Sequence, residues 1–249
     1  MARIGLLAVA LSVTALFVGL GVWQLDRAEQ KRAAVAQFVL RSSAPLVDLN
    51  ERVFDDGSEL SGYRVSAAGT YRGTTILLDN QVHNGRVGYL VYGALALNAR
   101  NQSVLVNRGW LGAGPDRGRS PEVITPTGSQ HLEGRLSLPP QGGLRLEGSE
   151  VIEPFGHGTW RVQAIDFGAL SAVIGAELLP VTVVLLGDDA MNGFERDWAA
   201  PGSARGAPSG ESRHLGYAFQ WFALALTVVV VAGVLTLRAR KSPTDNPGP

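Results

Sequence analysis

Residues 215–237 read LGYAFQWFALALTVVVVAGVLTL, a run without a charge that is closed by Arg238, Arg240 and Lys241. At about 1.5 Å per residue such a helix reaches about 33 Å, enough to cross the roughly 30 Å hydrocarbon core of a bilayer. A buried helix of a soluble protein needs neither so long an apolar run nor a basic flank at its end. The stretch 4–25, IGLLAVALSVTALFVGLGVWQL, is its counterpart near the N-terminus and also carries no charge. A cleaved signal peptide has an apolar region of about 7–15 residues and a small-residue cleavage site. This run is longer and passes directly into LDRAEQKRA, so a retained anchor is expected.

Two spans put both termini on one side of the membrane and everything between them on the other. The ends carry Arg3, Arg238, Arg240 and Lys241, and the segment after the first span carries Arg27, Lys31 and Arg32. Long domains are translocated largely regardless of their charge, so the basic C-terminal flank weighs more. Both ends are therefore expected in the cytoplasm and the middle domain on the outer face of the cell (inner) membrane, with lipid as the first partner. The 45% hydrophobic content and zero net charge of the 249 residues support neither a disordered chain nor a nucleic-acid binder. Cysteine is absent, which removes disulfides and thiolate metal sites.

The expected organisation is a first transmembrane helix over 4–25, a β-rich domain over 26–198, a flexible linker over 199–213, a second transmembrane helix over 214–237 and a cytoplasmic tail over 238–249. From Asp26 to Arg41 a helical pattern continues, with Ala28, Arg32, Val35 and Val39 at spacings of three and four. The first helix should project from the bilayer and end before Pro45. Beyond it come short β-rich runs separated by Gly, Pro, Asn and Asp: YRVSAAGTY, TTILLDN, VGYLVYGALAL, SVLVNRGWL, HLEGRLSL and TWRVQAI. A short helical stretch from Asp166 to Gly175 precedes a seventh run, VTVVLLG. The fold expected is two transmembrane helices flanking a mainly antiparallel β domain, one sheet curled into a small barrel or sandwich. Its core should include Val65, Ile76, Leu78, Val104, Val106, Leu136, Val183 and Leu185. The segment 199–212, AAPGSARGAPSGES, reads as a tether returning to the membrane, and the tail from Ser242 as disordered.

The motifs of soluble enzymes are missing: no H-E-x-x-H, no G-x-S-x-G, no P-loop and no cysteine nucleophile. The glycines of GAGPDRG lack a strand-to-helix context and read as a turn. No enzyme is expected. His83, His131 and His157 read as surface or structural imidazoles. Asn107 to Trp110 reads as a compact turn in which Arg108 could pair at a sheet end, Gly109 could need unusual backbone angles, and Arg beside Trp could offer a partner contact.

His214 sits at the mouth of the second span. At helical spacing positions 214, 217, 218 and 221 share a face, so His214, Tyr217 and Trp221 form a stripe descending into the membrane. The first span ends with Trp23 and Gln24, which antiparallel spans bring to the same depth. A haem needs what this mouth offers: an imidazole nitrogen for the iron, flat aromatic faces, an apolar shell, and cations such as Arg213 and Arg27 for propionates. An ordinary aromatic belt, with a histidine snorkelling beside it, fits the same residues.

Four separated signals coincide with one family. GVWQLDRAEQK, GTYRGTTILLDNQ followed by GRVGYLVYGALAL, SVLVNRGWL and RHLGYAFQWFALAL stand in the order and spacing of the Surfeit locus protein 1 family, which the chain resembles over nearly its whole length. The linker and the tail carry no such signal. The resemblance implies an accessory factor in the assembly of a haem-copper cytochrome c oxidase that binds haem a and supplies it to the oxidase core subunit, in contact with the haem a synthesis machinery. It also implies His214 as the iron ligand, with Trp221 as the matching aromatic, and on this reading Tyr217 lies beside the macrocycle, Trp23 closes the site and Arg213 meets a propionate. A scaffold that docks an oxidase subunit without touching haem is the alternative. A copper-delivery factor would need soft ligands, and Met1 and Met191 are the sole sulfur-bearing residues. A membrane-tethered hydrolase would need a nucleophile and base that nothing here ties together.

Overall fold

The structure is a computed structural model that describes residues 2–51, 61–98, 100–140, 152–156, 158–186, 194–196 and 210–241. Its elements are helix α1 (Ala2–Ser42), strands β1 (Val47–Asp48), β2 (Arg64–His83), β3 (Arg86–Leu97), β4 (Gln102–Gly112), β5 (Ser129–Ser137), β6 (Ile152–Gly156) and β7 (Thr159–Val162), helix α2 (Phe167–Ile174), strand β8 (Glu177–Leu185) and helix α3 (Gly210–Lys241). Two compact units result: Met1–Gln37 with Ala199–Pro249, and Phe38–Trp198.

Among the described residues, α1 and α3 are the two helices long and apolar enough to cross a membrane. The first helix continues past its apolar run, as expected, and stops at Ser42. There the Ser42 hydroxyl donates to the Phe38 carbonyl at 2.7 Å, the Ser43 hydroxyl donates to the Val39 carbonyl at 2.9 Å, and Pro45 bars a further turn. The second helix begins at Gly210, ahead of His214, so Gly210 to Arg213 are helix where the sequence pointed to linker. Glu211 in that first turn complements the helix dipole. The rest of the expected linker, 199–209, and the tail from Ser242 lie outside the described residues.

The second unit is a mixed, mostly antiparallel sheet. Strand β2 pairs with β3 along its length, β3 with β4, β4 with β8, β8 with β5, and β5 returns to the first half of β2. These five strands close into a barrel, which removes the sheet edges there. The second half of β2 leaves β5 and pairs with β7, which carries β6 on its other side.

The runs YRVSAAGTY and TTILLDN, expected as separate strands, are one strand, because Gly73 with φ 77° sits at an irregularity between Tyr71 and Thr75 and bends the ladder without ending it. The sheet is mainly antiparallel, as expected, and the pairs β1–β2, β2–β7 and β4–β8 are its parallel members. Hydrophobic alternation fixes which face of a strand is buried and carries no strand direction. The β2–β3 hairpin turns on Asn84 and Gly85, both at positive φ (48° and 74°), the backbone of a tight two-residue turn. Helix α2 falls where the sequence placed it. The Asp166 side chain caps it by accepting from the Ala169 N–H at 3.1 Å, and Gly175 ends it at φ 71°.

All eight expected core residues are buried, but in two clusters. Val65, Val104, Val106, Leu136, Val183 and Leu185 fill the barrel with Leu49, Tyr71 and Leu95. Ile76 and Leu78 lie in the other cluster, under α2, with Tyr92, Trp110 and Leu170.

Asn107 to Trp110 is not a turn. It is the middle of β4, and Arg108 is the extra residue of a bulge in which Tyr92 faces Asn107 and Val91 faces Gly109. Gly109 does need unusual backbone angles, at φ 137°, and a Cβ there would lie 2.5 Å from the Cβ of Phe194. The side chain of Arg108, 1% exposed, stacks on Phe194 (4.9 Å) and Tyr71 (5.7 Å) and donates to the Ile124 carbonyl at 2.7 Å. Burial pushes the Tyr92 phenol above its ordinary range, opposed by the Asn107 amide that donates to its oxygen at 3.3 Å.

Truncating Leu136 (1% exposed) to Ala should cost about 2–5 kcal/mol, whereas Ile124→Ala, at a side chain 72% exposed, should stay within about 0.5 kcal/mol of wild type. Chemical denaturation of the full chain in detergent, followed by circular dichroism of the β signal, checks both.

Candidate functional site at the mouth of the spans

The two spanning helices run antiparallel, and small residues let them approach. Gly21 and Ala28 on α1 and Ala218 and Ala225 on α3 are buried between them. A side chain at Gly21 would meet the Phe222 ring at 2.6 Å, so the glycine is the notch into which that ring fits. Lower in the seam the Phe17 and Trp221 rings lie 5.5 Å apart at 37°. At its outer end Arg32 reaches Glu211 at 2.7 Å, a solvent-exposed pair of small energetic weight.

Between these contacts stands a polar pair. Gln24, only 9% exposed, meets His214 with its Oε1 2.7 Å from the imidazole Nδ1. His214 is half-buried, and no other hydrogen bond to it occurs among the described residues. An amide in an apolar span without a partner would cost several kcal/mol by general transfer estimates, on the order of 2–7; across this seam it has one.

The structure divides the expected site residues into two groups. His214 and Trp221 stand on the inner face, whose stripe is 214, 218, 221 and 225. Tyr217, 46% exposed, lies at the border of that face, because a step of three residues leaves it about 60° behind His214. Trp23, 49% exposed, does not close over His214: neighbours on a helix diverge by about 100°, and Gln24 holds the inward position. Instead the Trp23 ring carries the Arg27 guanidinium at 5.8 Å. Arg213 is exposed. The residue missing from the expected site is Gln24, and its signal was a lone amide spaced from Gly21 and Ala28 as one helix face requires.

In the β unit, Arg108 and Trp110 are enclosed, so they do not form the exposed Arg–Trp contact that their adjacency permitted. Trp110 is covered by His83 (5.3 Å) and Arg86 (4.9 Å), which both pair with Glu195. His83 is thus structural, His131 is exposed on β5, and His157 lies outside the described residues. Arg108, Tyr71, His131 and Arg196 line a cleft of about 460 Å³ beside the barrel. Among the described residues no three His, Asp or Glu side chains are grouped so as to hold a metal ion.

Residues 11–226 match the SURF1 family, from within α1 to within α3, and so take in Gln24, His214 and Trp221. The chain belongs to the SURF1 family. A comparison with curated proteins returned no match. SURF1 proteins are assembly factors of cytochrome c oxidase and are not known as enzymes. The two apolar helices fit the membrane association that this family implies.

Gly21→Val should lower the midpoint of thermal unfolding in detergent by several degrees, because the new side chain collides with Phe222, whereas Gly19→Val, with open space around its Cα, should leave it unchanged. Tryptophan fluorescence reports on both, since Trp221 stands at the seam.

Proposed function

We propose that this SURF1 protein binds haem a at the mouth of its two spans and aids its insertion into the oxidase core subunit, receiving it from the haem a synthesis machinery. The observation that carries the reading is the His214 imidazole, half-buried in the seam with Nδ1 engaged by Gln24 and Nε2 left over. Haem a when bound supplies the iron. His214 would offer the iron one ring nitrogen, and Trp221 and Tyr217 would offer apolar ring faces to the macrocycle. Trp23 is a third aromatic, about half-exposed, with the Arg27 guanidinium against its ring, and Arg27 and Arg213 would be the cations for propionates. The residues present therefore fit the group.

The membrane is the cell (inner) membrane, with both termini cytoplasmic and the β unit on the outer face. The basic residues Arg238, Arg240 and Lys241 support that orientation. A reporter enzyme active only outside the cytoplasm should work when inserted near Gly206 and fail when fused after Lys241; the reverse pattern would overturn the orientation.

Haem binding is tested by the absorption spectrum of the chain purified after co-expression with haem a synthesis. His214→Ala should fold and insert as wild type does and lose the haem band. Trp221→Ala should weaken binding less, since it removes a ring and leaves the iron bond. A full, unshifted band in His214→Ala would remove the ligand assignment and leave the protein as a scaffold that docks an oxidase subunit.

A further inference from the structure

We propose that Gln24 is a positioning residue: its amide oxygen holds His214 in the tautomer that presents Nε2 as a metal ligand, and it does so only while α1 and α3 are paired. In so far as it concerns iron, this rests on the reading of His214 given above; the tautomer does not.

The argument begins with donors and acceptors. A neutral imidazole carries one N–H and one lone pair on its two ring nitrogens. The group 2.7 Å from Nδ1 is the Gln24 amide oxygen, which only accepts. Nδ1 must then carry the proton, and the lone pair falls to Nε2. With the opposite tautomer two lone pairs would face each other in a seam where water is scarce, an arrangement this depth disfavours.

Gln24 is well placed to impose the choice. It is 9% exposed, one turn from Gly21 on one side and from Ala28 on the other, both buried. The small neighbours leave its side chain the room between the helices, and the packed seam denies it solvent. The acceptor stands on α1 and the imidazole on α3, so separation of the helices dissolves the constraint. The ligand-competent form of His214 is thus a property of the assembled pair, and a chain with unpaired spans lacks it. Outer partners that orient a ligating histidine in this way are worth about 10- to 100-fold in metal affinity.

The test uses the full chain in detergent, labelled with ¹⁵N-histidine. The chain holds four histidines, so a His214→Asn variant assigns the resonance. Two-bond ¹H–¹⁵N correlations should place the His214 proton on Nδ1 in wild type. Gln24→Met keeps the side-chain volume and removes the acceptor, and should move the proton largely to Nε2. Gln24→Glu keeps an acceptor and should retain the Nδ1 proton. A wild-type proton on Nε2, or a tautomer unmoved in Gln24→Met, would refute the proposal.

A haem a titration forms the second arm. Gln24→Met should weaken binding about 10- to 100-fold. Gln24→Glu should keep binding within a few-fold and lower the iron midpoint potential, a change that a purely packing role would not produce. If wild type takes up no haem a but the tautomers behave as stated, the haem reading falls and the positioning of His214 stands. If His214→Ala loses haem while Gln24→Met binds as tightly as wild type, the haem reading stands and the role of Gln24 toward iron is refuted.

Discussion

Gln24 and His214 each bring a polar group into an interface whose close approach rests on Gly21, Ala28, Ala218 and Ala225. Between apolar helices in lipid there is no hydrophobic drive to associate, so close packing of small residues and interhelical hydrogen bonds determine the register. The 2.7 Å contact can form at one rotation of each helix only. That rotation seats Phe222 in the notch at Gly21, brings Phe17 to Trp221, turns Trp23 outward and leaves Tyr217 at the border of the inner face. The Gln24–His214 pair and the helical repeat of about 100° per residue together direct the aromatics of the mouth.

The β unit solves a different problem, that of a short chain that must leave few strand edges open. Closing β2, β3, β4, β8 and β5 into a ring does so, and the cost is local irregularity, since one strand must serve both the ring and the extension to β7 and β6. Gly73 absorbs the bend in β2. The bulge at Arg108 performs the corresponding task in β4, and Gly109 beside it gives room to the segment Phe194–Arg196. Trp110 and Glu195 exchange backbone hydrogen bonds there, at 2.8 Å and 2.9 Å. The Arg108 cation is accommodated in the interior by the faces of Tyr71 and Phe194.

What the sequence made legible follows the range of the interactions. The spans, the caps of α2 at Asp166 and Gly175, and the burial of residues such as Val104 and Leu136 depend on neighbours a few positions away, and local pattern reports those. The parallel pairings of β8 with β4 and of β7 with β2 join residues distant in sequence, and alternation is blind to them. Asn107 to Trp110 looked like a turn because polar residues and a glycine interrupt an apolar run; a bulge uses the same residues without leaving the strand. At the mouth, the helix face that His214 and Trp221 share was legible from their spacing. The choice between Trp23 and Gln24 was not, because it is made by the opposite helix.

Under the proposed reading, the division between inward and outward residues bears on how a haem would be held. A resident redox cofactor is held by an enclosing pocket, which fixes its potential and excludes solvent and exchange. A carrier must let its cargo go. Here one imidazole would be available for the iron, while Tyr217, at the border of the inner face, and Trp23, outside it, are about half-exposed. A ring resting against them would keep an edge open toward the bilayer, the medium through which a core subunit built of membrane helices would be approached. Holding by one bond, oriented by Gln24 from the neighbouring helix, would have a further consequence. Whatever pushes α1 and α3 apart removes the orienting acceptor and exposes the buried seam together, so release would be coupled to helix separation and not to any change at the iron.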